Sequence, residues 1–356
     1  MAVGQNANVG FSSYLLVGRE ATFKTYNTCT ASLDFLSAKF NTKKDMKAIE
    51  AVRKSRTLVD RISLSKVVEG EIEWAMAADS DASQYILQNA FGGGATGNGI
   101  TTATATGDTA GAGVFEHIYA VNDYSVTYSG LCFNHRKGDS TNGKFFEYSG
   151  SRVNEFTLKA EIDEALIANA KIICCDSTSG GGDLSSLVTI NQNQSPMVFT
   201  NMRFSVENSF NSLTAAAFWH VQSIELGFNN NLKSDSSARR LGSDLLQVLP
   251  PGLMNFTLNV SMRFDTLTAY TAMLSETALA AQVEFLGPNT ITGSKFQQMI
   301  RFDYPRVYIQ DAGDPEIGGP DEILTSDVTF LVLQDDSTTT GYACKSTVRN
   351  STSTYA

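Results

Sequence analysis

Gly92, Gly94 and Gly97 are spaced as G-x-G-x-x-G, a pattern that cradles a dinucleotide when strand, glycines and helix follow in that order. Here the glycines follow a helical pattern, and the residues after them are Thr- and Ala-rich instead of amphipathic. The required order is absent. The three histidines are His117, His135 and His220, and none has a Cys, His or carboxylate at metal-ligand spacing. His117 and His220 stand in strand-like apolar surroundings, where an imidazole packs or hydrogen-bonds. Asp311, Asp314, Glu316, Asp321 and Glu322 form an acidic loop with Gly313, Gly318 and Gly319. Its carboxylates could take Ca²⁺, but the spacing is not that of an EF-hand, and a solvated hairpin tip is the simpler reading. No G-x-S-x-G occurs, and no Ser or Cys stands beside a His as a nucleophile. The five cysteines are odd in number, two are adjacent (Cys174 and Cys175), and no CxxC occurs. Reduced thiols made in a cytosol fit this better than a disulfide framework or a zinc site. No cofactor is implied, and an enzyme is the least supported class.

The elements that would carry any function follow from composition and pattern. The chain has 356 residues, 42% hydrophobic and 18% charged, with a net charge of −10. The length suits two domains or one large one. The chain is too apolar for disorder and too lightly charged for a coiled coil, so a globular, strand-rich protein with many turns is expected. Overall negative charge argues against an ordinary duplex-binding surface. No basic stretch followed by an apolar run opens the sequence, and no apolar segment approaches the roughly 20 residues that span a bilayer. Neither a secretory signal nor membrane insertion is expected. Charge is uneven, however. Residues 39–66 hold Lys39, Lys43, Lys44, Lys47, Arg53, Lys54, Arg56, Arg61 and Lys66 against Asp45, Glu50 and Asp60, a balance of +6 that leaves −16 for the rest.

One pattern occurs twice. Val68, Ile72, Trp74 and Met76 alternate with Glu69, Glu71 and Glu73, the period of a strand with one apolar and one wet face. A helix is expected over Asp81–Phe91, with Asp81 as cap and Gly92 supplying the left-handed turn at its end. Later, Met254, Phe256, Leu258 and Val260 alternate with Asn255, Thr257, Asn259 and Ser261, and a helical run is expected from Leu267 to Ala281, capped by Thr266 and ending near Gly287-Pro288. Phe35–Asn41 answers Ile224–Asn229 upstream. Each is followed by a charged connection, with Arg53 and Arg56 in one copy and Arg239 and Arg240 in the other. Downstream, Ser151-Arg152-Val153 answers Pro305-Arg306-Val307, and the copies finish on Ile167–Cys174 and Val328–Leu333. Gly92–Gly113 and Asn134–Lys144 read as exposed loops that absorb the extra length of the first copy. The expected organisation is a tandem duplication: residues 1–176, a Gly-rich linker at 177–183, and residues 184–356.

Ser12–Thr25 (Ser-Ser-Tyr-Leu-Leu-Val-Gly-Arg-Glu-Ala-Thr-Phe-Lys-Thr) and Val67–Gly93, ending Gln84-Tyr85-Ile86-Leu87-Gln88-Asn89-Ala90-Phe91-Gly92-Gly93, resemble the tail tube proteins (major tail proteins) of long-tailed bacteriophages. The resemblance covers about the first quarter of the chain in motif and the rest in layout. Lys24 departs from it, standing where Gly is expected after Phe23. The resemblance implies a mainly β chain of two tandem tail-tube-type β-sandwich or barrel domains, each with a flanking α-helix. It also implies self-assembly into stacked rings around a channel for DNA. The duplication leads to a ring of three chains with pseudo-six-fold geometry. The resemblance further implies tape-measure, terminator and distal tail proteins as partners, passage of double-stranded DNA without specific binding, and a place in the virion after synthesis in the bacterial cytoplasm.

Against that background the polar residues acquire candidate roles. Glu69, Glu71 and Glu73, with Asn255, Thr257 and Asn259 at matching positions, are candidates for the channel wall, the alternative being the outer surface. A Lys/Arg-lined wall would hold the genome, because six to ten phosphate contacts already change affinity by about 10³–10⁵ over a modest salt range. Lys43, Lys44, Lys47, Arg53, Lys54 and Arg56 read as a solvated loop, as an extended arm docking onto an acidic neighbouring ring, or as a DNA patch. Arg152 and Arg306 are candidates for subunit contacts, the alternative being a surface Arg with its stem packed. Other structural roles stay open: a head–tail connector, a capsid decoration protein, or the tube of a secretion system.

Overall fold

The computed structural model describes every residue except 1–9, 51–56, 58–59, 93–99, 105–112, 122–129, 139–142, 189–194, 216–217, 293, 314–322, 336–340 and 354–356. The first half of the chain runs β1 (Tyr14–Arg19), β2 (Ala31–Leu33), β3 (Ser37–Ala48), β4 (Arg61–Ala75), α1 (Asp81–Ala90), β5 (Ile100–Thr104), β6 (Phe115–Ala120), β7 (Leu131–Lys137), β8 (Lys144–Glu161), β9 (Ile167–Cys174) and β10 (Asp176–Ser179). The second half runs β11 (Met202–Glu207), β12 (Val221–Asn229), β13 (Asn255–Arg263), α2 (Thr268–Leu274), β14 (Leu279–Thr290), β15 (Gln297–Ala312), β16 (Thr325–Val332) and β17 (Lys345–Asn350). The chain is mainly β, and the strand pairings are antiparallel.

Eight strands follow one another edge to edge in the order β3-β4-β9-β8-β12-β13-β16-β15. Period-two patterning sets which face each residue takes. Val68, Ile72 and Trp74 of β4, Phe156 and Leu158 of β8, Leu226 and Phe228 of β12, and Leu258 and Val260 of β13 all point into the core and are at most 2% exposed. Burying each such side chain stabilises the fold by about 1.5–3 kcal/mol. Against this face lie two further series, β2-β1-β7-β8-β10 and β11-β14-β15-β17-β6-β5. The long strands β8 and β15 belong to both layers. Residues 144–151 of β8 pair with β7, and residues 152–159 pair with β9; β15 divides its length in the same way between β17 and β16.

The neighbour relations recur. The pairings β1–β7, β3–β4, β4–β9, β7–β8, β8–β9 and β8–β10 in the first half are matched by β11–β14, β12–β13, β13–β16, β14–β15, β15–β16 and β15–β17 in the second. The halves are not separate bodies. One hydrophobic cluster runs through both, β8 pairs with β12, and β6 of the first half pairs with β17 of the second.

Several sequence expectations need correction. Ser80, not Asp81, is the N-cap of α1, its side chain accepting from the Ser83 N–H; Gly92 takes the left-handed φ of 79° after the helix, as expected. The second helix stops at Leu274 instead of Ala281. There the Ser275 hydroxyl donates back to the Thr271 carbonyl (2.8 Å) and Glu276 turns left-handed at φ 48°, so Leu279 already opens β14, which runs through Gly287-Pro288. Thr266 lies one residue before the N-cap position, which is Leu267. Asn134–Lys137, expected in a loop, belong to β7, where Asn134, His135 and Arg136 are buried; the low-complexity stretch 92–113 contains β5. Residues 177–179 of the expected linker are strand β10, paired with β8, so the unpaired stretch begins at Gly180. Residues 39–66, expected as a loop, are mostly the two long strands β3 and β4, with 51–56 and 58–59 outside the described residues.

Candidate functional site

Among the described residues, one face of the eight-strand series has no covering layer. In register across it stand Lys39, Glu71, Lys171, Glu155, Asn229 and Asn255, then Glu73, Asn169, Thr157, Gly227 and Thr257, then Lys159, Glu225, Asn259 and Thr329. Glu69 and Glu71 are exposed and Glu73 half-buried; Asn255, Thr257 and Asn259 are exposed. Two candidate groups nearly 190 residues apart in sequence thus share one surface, because β12 pairs with β8. Sequence patterning gave each strand its wet face but carried no signal for that pairing.

The face is acidic but laced with lysines. Lys171 Nζ lies 2.6 Å from Glu155, and Lys159 pairs with Glu161; each carboxylate holds its lysine above the ordinary lysine range. Asn229 donates to Glu155 (3.3 Å) and Asn169 to Glu71 (3.4 Å). Such exposed pairs contribute little to stability. What they fix is a polar face on which negative charge prevails and Lys159 and Lys171 are engaged.

Each end of the series is open. Among the described residues, β3 pairs only with β4, and residues 308–312 of β15 pair only with β16. The corresponding elements inside the chain, residues 155–161 of β8 and strand β12, pair with each other. Phe156 and Phe228 face each other across that junction, with ring centroids 5.9 Å apart.

Beyond Val68 the hairpin β3–β4 continues as a two-stranded ribbon, because β9 accompanies β4 only from that residue onward. Lys43, Lys44 and Lys47 stand on it; Arg53, Lys54 and Arg56 lie outside the described residues. Its base is tied down. Lys66 reaches Asp176 and the Ser177 carbonyl (2.6 Å each), Lys44 pairs with Asp244 (3.0 Å), and Arg239 donates to the Lys66 carbonyl (3.2 Å). Farther out, Met46, Ile62 and Leu64 are exposed apolar residues.

Neither arginine stands on an open surface. Arg152, a candidate subunit contact, is buried: its guanidinium lies 4.3 Å over the Phe23 ring and donates to the Leu249 carbonyl. β8 passes from one layer to the other at this point. Arg306 is half-buried and folds over Tyr308, donating to its hydroxyl (3.0 Å). His220, expected in apolar surroundings, is exposed, 2.9 Å from Asp265, which Arg263 also pairs at 2.7 Å; together they hold the Asp265 carboxyl near about 2. His117 is buried against Asn350 and the Thr352 carbonyl, and burial lowers His135 to about 4. All five cysteines are buried free thiols. Among the described residues no group of three or more His, Cys, Asp or Glu could hold a metal ion, and no helix is long and apolar enough to cross a membrane. Asp314, Glu316, Asp321 and Glu322 of the acidic loop, and Gly94 and Gly97, lie outside the described residues.

The N-terminal motif has a structural meaning that its residue types did not reveal. Glu20 is buried and accepts the N–H groups of Lys24 (2.8 Å) and Gly150 (2.7 Å). Lys24 takes φ 68°, a conformation that suits glycine and costs another residue about 1–2 kcal/mol. The Glu20 hydrogen bond holds that turn. The polar residues of the α1 motif act likewise: Asn89 accepts from the Val153 N–H (2.8 Å), and Gln84 donates to the Ala77 and Ala78 carbonyls. Asn230 of the second half donates to both Ala90 and Val153 carbonyls (2.9 Å each).

A family model described as phage tail tube protein matches residues 10–332. The chain belongs to that family. It is therefore a structural protein of the phage tail tube, and the tail of the virion is its place. The match embraces both halves and the whole of the eight-strand series. A search among curated proteins returns no significant match.

Proposed function

We propose that this tail tube protein is the repeating subunit of a hollow conduit: three chains close into a ring, rings stack, and the phage genome passes through the bore into the host. The observation that carries this is the junction between β8 and β12. If the two halves are one tail-tube sandwich unit written twice, with residues 1–176 and 184–356 as its copies, that junction is a template for closure. The same joint between chains would set residues 308–312 of β15 beside β3 of the next copy. Matching Val153 with Val307 and Phe40 with Phe228 places Tyr308 opposite Asn41, Ile309 opposite Phe40, and Asp311 opposite Lys39 of that copy. The apolar pair corresponds to Phe156–Phe228 and the last pair is of opposite charge. Head-to-tail joints of this kind close into rings when the rotation permits.

In this reading the open face of the series lines the bore. The other face of the sheet is already covered, so the wall carries Glu69, Glu71, Glu73, Asn255, Thr257 and Asn259. A net-acidic wall on which Lys159 and Lys171 are engaged gives phosphates few contacts, and DNA slides without sticking. The ribbon with Lys43, Lys44 and Lys47 docks onto the acidic ring above or below, in keeping with the marginal stability of a two-stranded hairpin by itself. Arg306 remains a candidate contact; Arg152, being internal, is replaced by the ribbon and the two edges. The reading includes no catalytic role, and tape-measure, terminator and distal tail proteins as partners at the ends of the tube.

Electron microscopy of the purified, concentrated protein tests the reading. Long hollow tubes are expected. Isolated rings that never stack would favour a connector, and a chain that stays monomeric at every concentration would overturn the proposal.

A further inference from the structure

The two helices occupy corresponding places but have opposite surroundings. Aligning Asp79 with Asp265 sets Gln84 and Gln88 of α1 against Tyr270 and Leu274 of α2. Gln84 and Gln88 are 0% and 3% exposed, whereas Tyr270 and Leu274 are 38% and 67% exposed and Leu267 is 62% exposed. Eight of the ten residues of α1 are buried; in α2 only Ala269 is. Both helices pack on the corresponding long strand, β8 or β15. The difference lies on the far side. The surroundings of α1 are closed by the second half of the chain: Met197 bonds the Met76 carbonyl, Gln298 donates to Asp79, Asn350 to the Ala78 carbonyl and Asn230 to the Ala90 carbonyl, while Phe91 packs on Phe228. Around α2, among the described residues, no corresponding elements close the far side. Leu267, Tyr270 and Leu274, at helical spacing, form an apolar stripe beside a groove of about 650 Å³ lined by Val206, Trp219 and Leu279.

We propose that this stripe is a subunit contact, covered in the assembly by the first half of a second copy of this chain. The inference rests on the ring reading above and adds a second layer to its joint. The surface that would arrive is identified by the repeat. Asn230, which bonds the end of α1, corresponds to Thr42, which stands on β3 opposite core-facing Val68. At the end of α2 Thr42 meets the carbonyl end of the helix, as Asn230 meets the Ala90 carbonyl at the end of α1. The contact is continuous with the proposed pairing of Asp311 and Lys39.

The test uses the full-length chain and two kinds of variant. Leu267→Asp with Leu274→Asp changes only exposed positions, so the melting curve of the unassembled subunit is expected to match the parent, while the concentration needed for tube formation rises about tenfold or more. In the second variant, Thr42→Cys with Leu274→Cys, mild oxidation of assembled protein is expected to give covalently linked chains on a non-reducing gel, with neither single variant doing so. Parent-like tube formation by the double Asp variant overturns the contact, and so do tubes of the cysteine variant that fail to link. Either result leaves the ring standing if the parent forms tubes. A parent chain that forms none removes the ring, and this contact with it.

Discussion

Glu20 shows how a single side chain sets the conditions under which the subunit is stable. Burial is the largest effect on its carboxyl and lifts it to about 7 from the ordinary 4.5, against the opposing pull of the Gly150 and Lys24 N–H groups and the Arg152 charge. The folded chain therefore keeps a proton between those values that the unfolded chain has lost. Stability through this group is fullest below about pH 4.5 and falls as pH rises towards 7. Glu20→Gln is expected to abolish that decline, a change on the order of 2 kcal/mol across the interval, read from urea midpoints of the unassembled subunit between pH 4.5 and 7.5. Identical slopes for variant and parent would show that the carboxyl titrates elsewhere. The sequence hinted at this site only through Lys24, a residue out of place in a family motif. Why a lysine is tolerated there depends on an acceptor four residues earlier and on an arginine from β8, and no local pattern announces either.

At the scale of elements, alternation was the reliable guide. It placed Val68, Ile72 and Trp74 inward and Glu69, Glu71 and Glu73 outward, and did the same for β13. It failed where two signals competed. Helical spacing from Leu267 onward hid the stop made by Ser275 and Glu276. The density of lysines between 39 and 66 hid the strand character of β3, whose alternation is weak because both faces of its outer half are wet. That outer half is also where function is expected. Replacing Lys43, Lys44 and Lys47 together with Glu should leave the melting temperature of the subunit within a few degrees of the parent, since exposed pairs such as Lys44–Asp244 contribute about 0–1 kcal/mol. It should nevertheless prevent long tubes, as seen by sedimentation and electron microscopy. Tubes of normal length from the triple variant would reduce the ribbon to a solvated hairpin.

At the scale of the molecule, what the sequence displayed was an order of landmarks; what it could not display was how the two halves meet. The alternating strands of each half follow from local patterns, but their order, the β8–β12 joint, the β6–β17 pairing and the shared core are set by contacts whose partners lie far apart in the chain. Those contacts make the arrangement more than two beads on a string. They turn one edge of each half into a finished joint and leave its counterpart exposed at the two ends of the series. In the proposed ring, such a chain has half of its joints made before assembly begins. If the remaining ones are of the same kind, the number of chains in a ring is half the number of units. Native mass spectrometry of single rings released from the tube measures that number directly. Three copies of the 38.5 kDa chain are expected; a ring of six would contradict the account.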